Sequence, residues 1–180
     1  MSETVKVLIS AEELQKKVAE LGAEIHRDYE GKNLFVISIL KGGVYAFCDI
    51  TRAIDLPMEM DFMAVSSYGN GTESSGQIKI LKDLDTPLDG RDVLVIEDIV
   101  DSGKTLNKLL ALLKKRNPAS LRLCAMLNKP DRRAQEAKDL KIDYLGFEIP
   151  DVFVAGYGLD YAQRYRNLPY IGEVCFDGII

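Results

Sequence analysis

The sequence predicts an α/β protein built on a mostly parallel central sheet flanked by helices. Two features carry that expectation. Continuous apolar runs, rather than alternating ones, recur between segments of helical spacing, as strands buried on both faces require. Three unusual loops, after Leu40, Ile96 and Leu127, begin where such strands end. Open α/β sheets bind ligands beyond the carboxyl ends of their strands.

The elements follow in order. Residues 4–9 form a short strand. Ser10 with Glu13 makes a capping-box pattern, and Leu14, Val18, Leu21 and Ile25 follow at helical spacing, so a helix is expected over 11–29. LFVISIL (34–40) is a buried-type strand stopped by Lys41-Gly42-Gly43, and a helix continues to about residue 54. MEMDFMAVSSY (58–68) is a further strand, GNGTESSGQ (69–77) a loop of small polar residues, and IKIL (78–81) a short strand. Asp89-Gly90 turns the chain into VLVIED (93–98). A helix from Gly103 to Arg116 is closed by Asn117-Pro118. SLRLCAML (120–127) is strand-like, a polar helix is expected over 131–140, and IDYLGFEI (142–149) is strand-like again. The remainder mixes short strands with turns.

Composition bounds the function. The 180 residues fit one domain with a substantial core. An apolar fraction of 47% with 28% charged residues is ordinary for a globular chain. The formal charge of −5 gives no bulk electrostatic grip on nucleic acid. Cys48, Cys124 and Cys175 are scattered, odd in number and in apolar company, which reads as inert buried thiols in a reducing compartment. His26 is the only histidine and has no cysteine cluster beside it, so a helix-surface role is expected. The N-terminal residues lack the apolar stretch of a signal peptide, and no run approaches the ~18 apolar residues of a membrane span. A cytoplasmic protein with no membrane and no nucleic-acid partner is expected.

The chemistry concentrates in residues 93–106, VLVIEDIVDSGKTL. SGKT resembles the end of a P-loop, but that motif needs a glycine where Asp98 stands. What survives is the physics beneath it: a small-residue turn opening a helix presents unpaired backbone N–H groups and the positive dipole end to a phosphate. The plain alternative is that Asp101 or Ser102 caps the helix. Glu97 and Asp98, adjacent acids at the end of a buried strand, need cations, donors or hydroxyl groups. A ribose and a divalent metal on a phosphorylated sugar would supply them, since Mg²⁺ joins a carboxylate to substrate oxygens.

That stretch resembles the phosphoribosyl pyrophosphate (PRPP) motif of the type I phosphoribosyltransferases. SILKGG (38–43) resembles their pyrophosphate loop and SSYGNG (66–71) their mobile catalytic loop. LNKP and GFEIPDVFVAGYGLDYAQRYRNLPYIGEV resemble the purine end of the hypoxanthine-guanine branch. The likeness covers about residues 34 to 175. Ser102 stands where threonine is frequent, which keeps the hydroxyl.

The resemblance implies a single domain over 1–180, with a core at about 30–145. A small hood comes mainly from 146–180 with the N-terminal segment, and a flexible lid completes the fold. It implies Mg²⁺ dependence and a homodimer or homotetramer. The reaction implied is transfer of the phosphoribosyl group from PRPP to N9 of hypoxanthine or guanine, giving IMP or GMP and pyrophosphate. Glu97 and Asp98 would hold the ribose hydroxyls and, with Asp160, the metal. Asp101, Ser102, Gly103, Lys104 and Thr105 would hold the 5′-phosphate, and Asp101 would handle the purine proton. Lys41, Gly42 and Arg166 would take pyrophosphate, with Arg164 a surface residue. Ser67 and Tyr68 would close as the lid. Lys129 would donate to the purine O6, Phe153 and Ile99 would sandwich the ring, and Val154 would contact it by backbone. A cis Leu40–Lys41 peptide is also compatible with the family.

A relative preferring xanthine, or hypoxanthine alone, fits the same motifs. A PRPP-sensing regulator would carry a basic face or an added domain. Taken singly, Lys129 at a strand end is a solvated cation and Lys41-Gly42-Gly43 a plain turn.

Overall fold

The computed structural model describes residues 3–67 and 78–176. The chain runs β1 (Glu3–Ile9), α1 (Ala11–Tyr29), β2 (Leu34–Leu40), α2 (Val44–Ala53), β3 (Glu59–Ser67) and β4 (Ile78–Lys82). It continues through β5 (Asp92–Val100), α3 (Lys104–Lys114), β6 (Ser120–Asn128), β7 (Tyr144–Glu148), β8 (Val154–Ala155) and β9 (Ile171–Phe176). Six strands form the main sheet in the order β4-β3-β2-β5-β6-β7, and β1-β9-β8 form a second, antiparallel sheet. In the main sheet only β4 runs antiparallel to its neighbour.

The apolar runs are continuous because both faces of the main sheet are covered. Val36, Leu94, Ile96, Cys124 and Met126 pack with Leu14, Val18, Leu21 and Ile25 of α1 and Phe47 and Ile50 of α2. Their chain neighbours Phe35, Ile37, Val93, Val95, Leu123 and Ala125 point the other way, onto Leu106, Leu109 and Leu113 of α3. Successive side chains of a strand face opposite sides, so each layer takes every second residue. Helix α1 begins as its sequence dictates. Glu13 N donates to Ser10 Oγ at 3.2 Å, and Ser10 N donates to the Glu13 carboxylate at 2.8 Å. Gly22 lets α1 close on α2, since a Cβ there would stand 2.5 Å from the Ala53 methyl.

One element departs from expectation. Residues 131–140 form no α-helix but two single 3₁₀ turns, Pro130–Arg132 and Gln135–Ala137. Only Ala137 and Leu140 of the segment pack inward, and its polar groups are recruited elsewhere. Ala134 donates its N–H to Ser102 O at 3.0 Å, a donor that a regular helix would keep for its own backbone, and the Arg133 side chain donates to Asn128 Oδ1. Among the described residues no helix is long and apolar enough to cross a membrane. The three cysteines are free, and burial pushes the Cys124 thiol up to about 12.

Candidate active site

Strands β2, β5 and β6 lie side by side, and their carboxyl ends open on one cleft of about 660 Å³. Lys41, Gly42, Asp98, Ile99, Asp101, Lys129, Phe153, Val154, Asp160 and Arg166 all line it. A smaller cavity of about 210 Å³ adjoins it, sharing Ile99 and Asp101. Its walls include Glu97, Ser102, Gly103, Lys104 and Thr105. The site residues expected from sequence therefore converge, with the lid as the exception. Ser67 ends β3, while Tyr68 and the loop through Gln77 lie outside the described residues.

The turn from β5 into α3 settles the capping question. Gly103 is the N-cap, in left-handed conformation with φ of 73°, and no side chain caps the helix. The first-turn N–H groups are thus left for a ligand. The Asp101 carboxylate instead meets Arg132 Nε at 3.3 Å, and the same guanidinium reaches Asp151 at 3.6 Å.

Glu97 and Asp98 keep only a little exposure to the cleft. Burial, reinforced by the charge of Asp98, raises the Glu97 carboxyl well above the ordinary glutamate range. Burial raises Asp98 to about 6, although its Oδ1 accepts from Ile99 N at 2.7 Å and Arg166 lies close enough to oppose the shift. Among the described residues no third carboxylate, histidine or cysteine joins the pair as a protein-only metal site.

The loop after β2 packs directly on this pair. A Cβ on Gly42 would stand 1.7 Å from Asp98 Oδ2, so the carboxylate would have to turn aside; one on Gly158, at φ of 101°, would stand 2.0 Å from Gly42 O, and glycine is required there. The Leu40–Lys41 peptide is cis. Arg166 donates to Gly158 O at 2.7 Å and pairs with Asp160 at 2.6 Å. Gln163 Oε1 accepts from Arg166 at 3.3 Å and from Lys41 at 3.5 Å, so one amide joins the two cations. Asp160 Oδ2 accepts from Gln163 N at 2.8 Å. Arg164 points away and pairs with Glu3.

On the β6 side, Lys129 is only 7% exposed, against the expectation for a lone strand-end lysine. Its backbone N–H is fixed to Val100 O at 3.0 Å, which ties the end of β6 to that of β5. Phe153 is 52% exposed despite being aromatic, with its ring edge-on to Tyr161 at 5.7 Å. Val154 is buried in β8, and Ile99 is half-buried. Sequence reasoning missed Arg132, Arg133 and Gln163. The first two lay in the supposed polar helix, and the third has positive φ (65°), a backbone state with no sequence signature for glutamine.

An uncapped helix start, a carboxylate pair and a glycine-lined cationic loop on adjacent strand ends suit an enzyme that handles a phosphorylated sugar. The family model described as a phosphoribosyl transferase domain matches residues 9–162, and the chain belongs to that family. It is 56% identical to the hypoxanthine-guanine phosphoribosyltransferase of Bacillus subtilis, over 93% of this chain and 91% of that protein. It is 50% identical to the hypoxanthine phosphoribosyltransferase of Buchnera aphidicola, over 98% and 99% of the two chains. A solved hypoxanthine phosphoribosyltransferase from Staphylococcus aureus superposes with a TM-score of 0.89 at 46% identity, covering 94% of this chain and 91% of that one.

Proposed function

We propose that the protein transfers the 5-phosphoribosyl group of PRPP to N9 of hypoxanthine or guanine, yielding IMP or GMP and pyrophosphate. The observation that carries this is the uncapped start of α3 beside the Glu97–Asp98 pair, with Lys129 held in the same cleft.

The 5′-phosphate is received by backbone N–H groups and hydroxyls of Asp101, Ser102, Gly103, Lys104 and Thr105. Glu97 and Asp98 take the ribose hydroxyls, which offer donors to carboxylate oxygens that the Ile99 N–H satisfies only in part. Lys41, Gly42 and Arg166 take the pyrophosphate. Phe153 and Ile99 flank the purine, Val154 meets it by backbone, and Lys129 donates to O6. A lysine offers donors only, so a 6-amino group would leave it unmet. In the reaction the C1–oxygen bond to pyrophosphate breaks, its electron pair leaves with the pyrophosphate, and N9 bonds to C1. The carbon passes through an oxocarbenium-like state, which positioning and charge neutralisation favour. Asp101, facing N7, handles the proton the purine must lose, and exchanges Arg132 for the base as it does so. Ser67 and Tyr68 close over the cleft and exclude water.

Two adjacent carboxylates suit Mg²⁺ that completes its octahedron with substrate oxygens and water. Glu97 and Asp98 would hold it on the ribose side. Asp160 would hold it on the pyrophosphate side once Arg166 turns to the anion. The ion would neutralise charge on the leaving pyrophosphate. We also infer one domain, with a core over about 30–145 and a hood from 146–180 with the N-terminal segment. A homodimer or homotetramer and a cytoplasmic location complete the reading, the latter supported by the three free thiols.

A spectrophotometric assay with PRPP, Mg²⁺ and each of hypoxanthine, guanine, xanthine and adenine tests this. Turnover of hypoxanthine and guanine but not adenine is expected. No turnover of any 6-oxopurine would sink the assignment, and a preference for xanthine would redirect it.

A further inference from the structure

The stretch between β6 and β7 braces the phosphate loop from behind. Ala134 N donates to Ser102 O at 3.0 Å, Asn107 Nδ2 donates to Glu136 O at 2.8 Å, and Lys104 pairs with Glu136 at 3.3 Å. Arg133 points into this brace. Its Nη2 donates to Asn128 Oδ1, and Asn128 Nδ2 in turn donates to Glu148 Oε1 at 3.3 Å. Its Nη1 is buried and has no hydrogen-bond partner among the described residues. That nitrogen lies 2.7 Å from where a Cβ on residue 103 would stand, so it sits directly behind a glycine whose φ of 73° already calls for that residue.

Arg133 is half-buried as a residue, and its guanidinium meets a neutral amide on one nitrogen and no acceptor on the enclosed one, an arrangement with a desolvation cost. Burial lowers its pKa, and the charge acting against that is Asp101. The smaller cavity is bounded by Asp101 to Leu106 but not by Arg133, so the cation stands behind the loop and not within it. An unpaired positive charge against the back of an anion cradle is stabilised when a dianion arrives on the other side.

We propose that Arg133 is a positioning residue for the 5′-phosphate. Fixed behind Gly103, it holds the loop in its left-handed turn and adds to the positive field at the start of α3. This rests on the proposed function for the identity of the ligand.

The test compares IMP with inosine, which lacks only the phosphate, by calorimetric binding to the full chain. Arg133→Met should weaken IMP binding by about 10-fold, the order expected of one cation acting through space on a dianion near the protein surface. Inosine binding should be unchanged. Arg133→Lys should recover part of the loss. Asn128→Asp, which gives the guanidinium a carboxylate, should weaken IMP in the same direction, and keeps the test alive should Arg133→Met fold poorly. Parallel loss of IMP and inosine, or wild-type IMP affinity in Arg133→Met, overturns the proposal. Protein that binds PRPP with the same Arg133 dependence but turns over no 6-oxopurine would overturn the substrate assignment and leave Arg133's role standing. Protein that binds neither IMP nor PRPP overturns both.

Discussion

Replacing Asp98 with asparagine is expected to stabilise the ligand-free protein while abolishing its activity. Asp98 lies under Gly42 with little access to water, and burial raises its carboxyl from 3.8 to about 6. The folded chain therefore binds that proton more tightly than the unfolded chain. The stabilisation it gives is fully present below the unfolded value and is lost as pH rises through about 6. The separation of the two values corresponds to about 3 kcal/mol at neutral pH. Glu97 is shifted in the same direction and steepens the dependence. An amide has the same outline without a charge to bury, although its N–H groups need acceptors, so a net gain of about 1–3 kcal/mol is expected. For a chain of this length each kcal/mol moves Tm by about 2–4 °C. Urea or thermal unfolding in EDTA from pH 4 to 8 measures it. Asp98→Asn should be more stable than wild type at pH 7.5, with the gap closing by pH 4. A variant less stable at pH 7.5, or a gap independent of pH, would refute the view that this carboxylate is held ionised at a cost to the fold.

Further outcomes follow from the same geometry. Asp101→Asn should cut kcat by about 10²- to 10⁴-fold, the range for a lost general base, with little change in PRPP affinity. Equal loss of both would mean that Asp101 only shapes the loop. Lys129→Ala should raise the purine KM and leave that for PRPP near wild type, and an unchanged purine KM would remove the basis for 6-oxo selectivity. Gly42→Ala forces a methyl to within 1.7 Å of Asp98 Oδ2. It should cost about 1–3 kcal/mol in stability, as overpacking does, and raise the PRPP KM. Wild-type values in both measurements would show that the loop yields freely.

The parts of the fold visible in sequence are those where local and tertiary preferences agree. Ser10, Glu13 and the apolar stripe of α1 each call for the same helix, and the apolar runs of β2, β5 and β6 are explained by cover on both faces. That residues 97–105 would meet at one cleft was legible because a buried strand running into a small-residue turn and a helix constrains residue type and spacing together. The 130–137 segment was not. Its conformation is fixed by where Arg133 and Ala134 N–H find partners, and those partners, Asn128 and Ser102, are set by the sheet and not by neighbours in sequence. Lys129 was legible only through its family motif, because a lysine at a strand end carries no local sign that the cleft will bury it. Gln163, joining Lys41 to Arg166 from 122 residues away in sequence, had no signal at all.

The strand order has a stereochemical consequence. Displacement at a sugar carbon brings the entering group in on one side while the leaving group departs on the other. Under the proposed assignments the leaving pyrophosphate is gripped from β2, the sugar rests on β5 and the entering base is gripped from β6. These three strands are consecutive neighbours, with β5 in the middle. The reaction coordinate thus runs across the sheet, perpendicular to its strands, and its direction was fixed when the strands paired.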